Sequence, residues 1–168
     1  ADGRFWVAGL PISNDAQSDG VAADWVFSQA ELVVRRGTVN WTDELRGAPP
    51  LALAGVDIVL RNRHRKHSLR LDVAPPAHWG EPIQILGDFK QPLLSAHAGD
   101  WRQWDGQLYG YFSQIDLSQL RPYADIGVNV EQGTGTVRAW KDLKKGALVG
   151  GTAAVALRDA KVQVQRSL

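Results

Sequence analysis

Several features that would fix a class of function are missing from this sequence. Its 168 residues contain no cysteine, so disulfide bonds and thiolate metal sites are excluded. The formal net charge is only +1, which gives no strong field to attract a nucleic acid or a membrane. No apolar run approaches the ~20 residues that a membrane-spanning helix requires. What is left is a chain of single-domain size that is long enough to bury a core.

Methionine is absent as well, including an initiator, and the chain starts Ala-Asp-Gly. We therefore expect residues 1–168 to be a single segment of a longer polypeptide. Any signal peptide or membrane anchor would then lie outside this segment.

Residue patterns that carry catalysis are also missing. There is no Gly-x-Ser-x-Gly elbow, and "GTGTVR" leads into a predicted strand rather than the helix that follows a phosphate-binding loop. His64 and His67 are three residues apart, which places them on opposite faces of a strand, so a solvated turn is the simpler interpretation than a metal site. We predict that the chain is not an enzyme and holds no metal or cofactor.

What the sequence does contain is alternation of apolar and polar residues, which is typical of half-buried strands. In 51–60 the alternation is interrupted at Gly55, where a β-bulge would keep the apolar set on one face. A polar stretch over 61–67 predicts a turn that joins this strand to Leu69, Leu71 and Val73. Further strands are predicted over 83–89 and 160–165. The strands expected to form one strongly curved sheet are 32–41, 51–60, 68–74, 104–113, 135–141 and 147–158.

Helical signals are few. "SDGVAADWVFSQ" offers Ser18 or Asp19 as an N-cap. "DLSQLRPYAD" offers Asp116 as a cap, with Leu117 and Leu120 facing inward. The predicted fold class is therefore mainly β, an antiparallel sheet that curls into an open trough, with one or two short helices.

Two stretches of the chain resemble each other. "GTVNWTDELRG" starts at Gly37 and "GTVRAWKDLKKG" starts at Gly135, and each leads into a long apolar strand. Chance is one explanation. The other is a repeated β-module, with units near 31–74 and 133–165, that stacks along an axis.

Two further features leave binding roles open. Trp41, Trp104 and Trp140 fall on predicted strands, and Trp101 is a near neighbour of Trp104. Exposed rings of this kind would form a sugar-binding platform, whereas packing in the core is the commoner role for tryptophan in a sheet. The basic residues of the 61–67 turn would either touch anionic head groups or form a solvated hairpin tip.

Three short motifs, in order and spacing, carry a family resemblance. They are Trp41 with Asp43 before "RGAPPL", the pair Pro75–Pro76, and W-x-G-x-L-Y from Trp104 to Tyr109. Over roughly residues 24–165 the chain resembles the YhdP family, the large AsmA-like proteins of Gram-negative bacteria. The resemblance implies a protein anchored in the inner membrane by an N-terminal helix. The remainder would extend through the periplasm as a curled β-sheet with an apolar inner face, tied to phospholipid movement to the outer membrane.

This chain would be an internal periplasmic segment of such a protein, without the anchor and without catalytic residues. Its partners would be phospholipid and the neighbouring segments of the full-length protein. Segment ends that expose edge strands would pair with those neighbours, and in isolation they would invite dimerisation. A structural or interaction module of envelope assembly with a self-filled core is the alternative, and a carbohydrate-binding β-domain is a weaker one.

The energetics explain why a lipid carrier needs such a face. The two acyl tails of a phospholipid hold on the order of 30 methylenes, and exposing them to water costs ~0.8 kcal/mol each, or ~24 kcal/mol in all. Alternation also occurs in any β-sandwich, so it does not choose between a lipid trough and a closed core. The residues predicted to line the concave side are Val39, Trp41, Leu53, Ile58, Leu60, Leu71, Leu108, Phe112, Val137 and Val155.

Overall fold

A computed structural model of the chain describes residues 5–7, 10–12, 19–43, 48–95, 97–120 and 130–162, and antiparallel β-structure dominates them. Two short helices and one 3-10 turn at Trp101–Gln103 accompany the strands. The elements are β1 Phe5–Val7, β2 Leu10–Ile12, α1 Asp19–Ser28, β3 Glu31–Asp43, β4 Ala48–Arg63, β5 Lys66–Ala74, β6 Ile83–Lys90, β7 Asp105–Asp116, α2 Leu117–Leu120, β8 Val130–Lys144 and β9 Ala147–Val162.

Strands β3 to β9 form one seven-stranded sheet in which every strand is antiparallel to its neighbour in sequence. The sheet does not close into a barrel, so β3 and β9 are its two edges. β1 and β2 pair with each other in a separate two-stranded sheet. The predicted fold class and the six strands predicted to share a sheet are confirmed. The strand predicted at 83–89 is confirmed as β6, the fourth of the seven.

Because the sheet is a simple meander, its connections alternate between two ends. The β4–β5, β6–β7 and β8–β9 connections lie at one end, which we call the α1 end because α1 packs there. The β3–β4, β5–β6 and β7–β8 connections lie at the other, the α2 end. This arrangement lets the two ends of the same strands acquire different chemistry.

The bulge predicted at Gly55 is present. Gly55 has a φ of 63° and the β4–β5 register shifts between Ala54 and Asp57. Leu53 before the shift and Val56 after it both belong to the apolar side of the strand. Glycine suits this position because it adopts a left-handed conformation without a Cβ clash.

The predicted pairing across the β4–β5 hairpin is confirmed, with Ile58 opposite Leu71 and Leu60 opposite Leu69. The predicted turn at 61–67 is too long. The strands continue to Arg63 and resume at Lys66, so only two residues form the turn. A two-residue loop with positive φ follows the twist of the strands, and His64 has a φ of 50°. Arg61, Arg63 and Lys66 therefore lie in the strands, and only Arg65 of these charged residues lies in the turn.

The last third of the chain also differs from its prediction. The strands expected at 147–158 and 160–165 are one continuous strand, β9, as far as Val162, and 163–165 lie outside the described residues. Arg158, Asp159 and Lys161 do not interrupt β9. It is an edge strand, so the backbone groups on its outer side have no neighbouring strand within the described sheet. The strand expected at 135–141 is longer than predicted, running from 130 to 144.

Both predicted helices are present. α1 begins at Asp19, and Ser18, the other residue predicted as a possible cap, lies outside the described residues. Asp116 caps α2, since its Oδ1 accepts hydrogen bonds from the Ser118 backbone N–H at 2.9 Å and from the Ser118 hydroxyl at 2.7 Å. Leu117 is buried as predicted, with 1% of its surface exposed. The side chain of Leu120 lies outside what the structure describes.

The fully buried apolar cluster lies toward the α2 end of the sheet. Trp79 closes it from the β5–β6 connection and Leu117 closes it from α2. The Asp116 backbone N–H donates to the Trp79 carbonyl at 2.6 Å, which ties the two closures together. The cluster comprises Val56, Val73, Trp79, Ile83, Ile115, Leu117 and Val137.

Candidate functional site

The strand register gives the sheet one face that is mostly apolar across all seven strands, with Lys141, opposite Leu108 and Gly151, as a charged exception in β8. Residues paired across antiparallel strands share a face, so the pairing can be followed from one edge to the other. One complete row in this apolar face is Val34, Ile58, Leu71, Ile85, Gly110, Ala139 and Ala153.

All ten positions predicted to line a groove fall on this one face by register. Position 41 pairs with Leu51 on it, although the side chain of Trp41 lies outside what the structure describes. That these side chains contact lipid stays a prediction. The pairs that place the others are Val39 with Leu53, Ile58 with Leu71, Leu60 with Leu69, Leu108 with Gly87, and Phe112 with Val137, which in turn pairs with Val155.

Coverage of the apolar face is uneven. The cluster near the α2 end is buried, whereas Ile58, Leu71, Ile85 and Phe112 in the middle of the strands are only partly buried and pack against that cluster. Leu108, nearer the α1 end, is partly buried too. These side chains therefore keep part of their apolar surface exposed, although Leu60, the next apolar residue of β4, is buried at 8% exposure.

Two phenylalanine rings cover three glycines of this face, Gly87, Gly106 and Gly110. A Cβ on Gly87 would lie 2.6 Å from the Phe89 ring, and one on Gly106 would lie 2.7 Å from it. The Phe112 ring covers Gly110 in the same way, at 2.9 Å. The rings therefore lie along the sheet rather than standing away from it. They form a flat apolar surface, which is the role that glycine next to an aromatic residue has in other sheets.

A second packed group closes the α1 end. The Trp104 ring stacks on the His67 imidazole with centroids 3.9 Å apart and an interplanar angle of 6°. Phe27 of α1 meets both rings edge-on, at 4.6 Å from Trp104 and 5.5 Å from His67. This aromatic group, Phe27, His67 and Trp104, is what joins α1 to the sheet.

His67 is the unexpected member of this group, because the sequence predicted a solvated turn. Only 2% of it is exposed. Its Nδ1 lies 2.7 Å from Oδ1 of Asn62, whose amide donates to the carbonyls of Gln29 at 2.7 Å and Val26 at 3.3 Å. The Asn62 oxygen is thus the acceptor, His67 Nδ1 carries a proton, and Nε2 has no hydrogen-bond partner. Burial lowers the pKa of His67, and the nearby Gln91 side chain opposes this in part.

Trp101, Trp104 and Trp140, three of the tryptophans considered for a sugar-binding platform, differ in burial and do not share one face. Trp104 is 3% exposed, whereas its neighbour Trp101 is 41% exposed with the Arg102 guanidinium 4.7 Å above its ring. Trp140 is also exposed, but it pairs with Tyr109 on the opposite face of the sheet. Within the described residues, no group of three His, Cys, Asp or Glu side chains is placed to hold a metal ion.

Comparison with protein families identifies the chain. The model of the YhdP protein family matches residues 8–167. The chain belongs to the YhdP family. The YhdP resemblance found in the sequence is thereby confirmed, and membership associates the chain with the cell envelope and with a family linked to lipid transport. No curated protein and no solved structure gives a significant match. None of the helices in the described part of this YhdP-family chain is long and apolar enough to cross a membrane.

The sequence prediction missed the aromatic group at the α1 end, although a signal for it was present. His67 has the same parity in its strand as Leu69, Leu71 and Val73, and strand periodicity therefore assigns it to the apolar face. The charged neighbours Arg65 and Lys66 instead indicated that the whole stretch 61–67 is a polar loop.

Proposed function

We propose that the apolar face shields phospholipid acyl chains while lipid moves between the membranes of the envelope. The observation that carries the proposal is that this face is mostly apolar in register across all seven strands and stays partly uncovered at their centre. The role is passive and non-catalytic, since shielding needs apolar surface rather than reactive groups. Of the ten positions predicted from the sequence, Leu60 and Val137 are buried in the chain's own core. The residues proposed to touch the tails are the seven whose side chains are partly buried: Val39, Leu53, Ile58, Leu71, Leu108, Phe112 and Val155.

The packed groups at the two ends are compatible with passage of lipid. A path along the face crosses the strands from β3 to β9, and the row from Val34 through Leu71 to Ala153 has no charged residue in any strand. The aromatic group and the Trp79 closure lie at the strand ends, to either side of this path. They would form the two sides of a groove and would not block the path of the lipid.

The open edges allow the path to be prolonged. β3 and β9 each present one row of backbone groups without a neighbouring strand within the described sheet. From Ala147 to Leu157 the β9 edge carries no charged side chain that would deter another strand. We propose that neighbouring segments of the full-length protein pair with these edges. In the isolated chain, the same edges would favour a dimer.

Charge placed in the middle of the apolar face tests the proposal. The variant Leu71→Asp should stay folded but lose co-purifying phospholipid, because a wall with an open side can hydrate a carboxylate that acyl chains cannot tolerate. Native mass spectrometry measures the lipid and circular dichroism measures the melting. Leu86→Asp is the matched control, since Leu86 is half-buried in the adjacent strand but lies on the opposite face.

One observation favours a second function, a structural module with a self-filled core. The α2 end is already filled by seven buried side chains of the chain itself. If the whole face is closed in the same way, Leu71→Asp buries an unpaired charge and unfolds the protein. Unfolding of this variant, together with a parent that never binds lipid, would reject shielding in favour of the structural role.

A further inference from the structure

The α1 end exposes apolar side chains that the shielding role does not use. In the connection between β6 and β7, Leu93 is 80% exposed, Leu94 is 97% exposed and Trp101 is 41% exposed. A single exposed leucine needs no explanation. Two adjacent leucines almost fully in water, in the same connection as an exposed tryptophan, indicate a contact surface.

The fold holds this connection in a defined shape. The Gln91 backbone N–H donates to the Arg65 carbonyl at 2.8 Å, and the Arg65 Nε donates back to the Gln91 carbonyl at 3.0 Å. The Gln91 amide, itself 8% exposed, donates to the His97 carbonyl at 2.9 Å. Farther along, the Gly99 backbone N–H donates to Asp24 of α1 at 2.7 Å. The leucines therefore lie between two tethered points, and their exposure follows from the fold.

Basic residues frame the leucines. The β4–β5 turn lies on one side, bonded to Gln91, and the β8–β9 turn lies on the other, where the Gly146 backbone N–H donates to the Trp104 carbonyl at 2.9 Å. Acidic residues near this end are engaged locally: Asp100 with Gln103 at 2.5 Å, Asp105 with Lys144 at 3.7 Å, Asp24 with the Gly99 backbone N–H at 2.7 Å, and Glu31 with Arg61 at 2.6 Å. The basic residues are Arg63, Arg65, Lys66, Lys90, Arg102, Lys144 and Lys145.

We propose that the α1 end docks on the surface of an anionic phospholipid bilayer. Leu93, Leu94 and Trp101 would enter the head-group region, while the surrounding lysines and arginines would meet lipid phosphates. Charge complementarity selects this occupant, because a basic rim around exposed aliphatic side chains matches a surface that is anionic outside and apolar beneath. The inference is independent of acyl-chain shielding, since it uses neither the apolar face nor any of the ten predicted groove residues.

Vesicle flotation of the 168-residue chain tests the inference. The probes are vesicles of phosphatidylcholine alone and vesicles of phosphatidylcholine and phosphatidylglycerol in equal parts. We expect binding to the anionic vesicles, weakened by salt, and little binding to the neutral ones. The double variant Leu93→Ser/Leu94→Ser should lose about ten-fold or more of that binding. The control is Leu157→Ser, which removes a leucine that is 39% exposed but lies toward the α2 end of β9, away from the proposed docking surface.

A second double variant tests the basic residues. Arg63→Gln/Lys66→Gln should weaken binding to anionic vesicles and leave binding to neutral vesicles unchanged. The four substituted side chains of the two double variants are exposed, so both proteins should stay folded, which circular dichroism would verify. Equal binding of parent and leucine variant, or no binding by the parent, would overturn the inference. Binding that is unaffected by salt and by the Arg63→Gln/Lys66→Gln change would also overturn it. If the α1 end instead binds an acidic protein, the chain would not float with either kind of vesicle, and the inference would be overturned. Leu71→Asp serves to separate the two proposals, because it should lose co-purified lipid and still float with anionic vesicles.

Discussion

The two ends of the same seven strands are built from different chemistry. At the α2 end, aliphatic side chains and Trp79 form a dry cluster, and the described connection 75–82 contains neither lysine nor arginine. At the α1 end, a histidine and an asparagine are packed among aromatic rings, and the connections carry basic residues and exposed leucines. A meander imposes the same backbone pattern at both ends, so the difference comes from the connections. The comparison indicates that the α2 end stabilises the sheet and that the α1 end is available for contacts with another molecule.

Stability follows the same division. The α2 end has apolar groups fully removed from water, which is the dominant favourable term in folding. The α1 end instead leaves two buried polar atoms without partners, His67 Nε2 and Trp104 Nε1, and each such atom reduces the gain from packing. We therefore expect a given type of substitution to lower the free energy of unfolding more at the α2 end than at the α1 end.

The largest effect is expected from Trp79→Ala. Trp79 is 5% exposed and completes the buried cluster, so its removal should destabilise the chain by ~3–5 kcal/mol in denaturant unfolding. Trp101→Ala at the α1 end is the control. Because Trp101 is 41% exposed, its loss should change the free energy of unfolding by less than ~1 kcal/mol. A comparable cost for both variants would remove the distinction between the ends.

The next effect is expected at Gly80, which supports Trp79 at the same end. Gly80 has a φ of 132°, and a Cβ there would collide with the Gln114 carbonyl oxygen, which is backbone and has little freedom to move. Gly80→Ala should therefore lower the free energy of unfolding by about 1–3 kcal/mol. Gly150→Ala on β9 is the matched control, since a Cβ on Gly150 meets nothing within 4 Å. If Gly80→Ala left the free energy of unfolding unchanged, Gly80 would not be tightly packed against the Gln114 backbone.

A pH-dependent effect is expected at the α1 end. Because the pKa of His67 is lowered in the fold, the unfolded chain binds the proton more readily, and stability should fall as pH drops below about 6.5. The slope cannot exceed about 1.4 kcal/mol per pH unit for one proton. Unfolding measured at several pH values, with hydrogen exchange of the α1 amides, would show the loss.

Two variants identify the group responsible. His67→Phe should abolish this pH dependence because it keeps a ring against Trp104 without a titrating nitrogen. His97→Gln should leave it in place, although His97 lies 3.2 Å from Asp24 at the same end. If the His67→Phe variant kept the full pH dependence of stability, another titrating group would be responsible for it.

Much of the sheet could be read from the sequence because one apolar face imposes a period of two. The bulge at Gly55 and the shared face of Ile58, Leu60 and Leu71 on paired strands were predicted on that basis. The aromatic group was not, because it depends on how α1 and the 91–104 connection fold back on the sheet. Local patterns do not encode such contacts, which join residues as distant as Phe27 and Trp104.

The internal repeat shows the same limit. Gly37 and Gly135 both lie on the apolar face, in the first strand of an edge hairpin. The two stretches then differ by one residue before their tryptophan, so position 41 is in register with the apolar face while Trp140 is on the opposite one. A one-residue offset reverses the face of every later side chain. The proposed repeat units stay a prediction.

The smallest effect is expected from the ion pair between Arg61 and Glu31 at the α1 end. Its atoms are 2.6 Å apart, but the two side chains are 61% and 48% exposed, and solvent screens such a pair. Glu31→Gln should lower the free energy of unfolding by about 0.2–1 kcal/mol at low salt, with the difference shrinking as salt is added. If the α1 end serves contacts rather than stability, the same variant should bind anionic vesicles at least as well as the parent, because it removes a negative charge beside the basic turn. Denaturant unfolding and vesicle flotation at two salt concentrations measure both effects. A loss of several kcal/mol would contradict the comparison, since it would make a surface charge at this end as important for the fold as Trp79 is at the other.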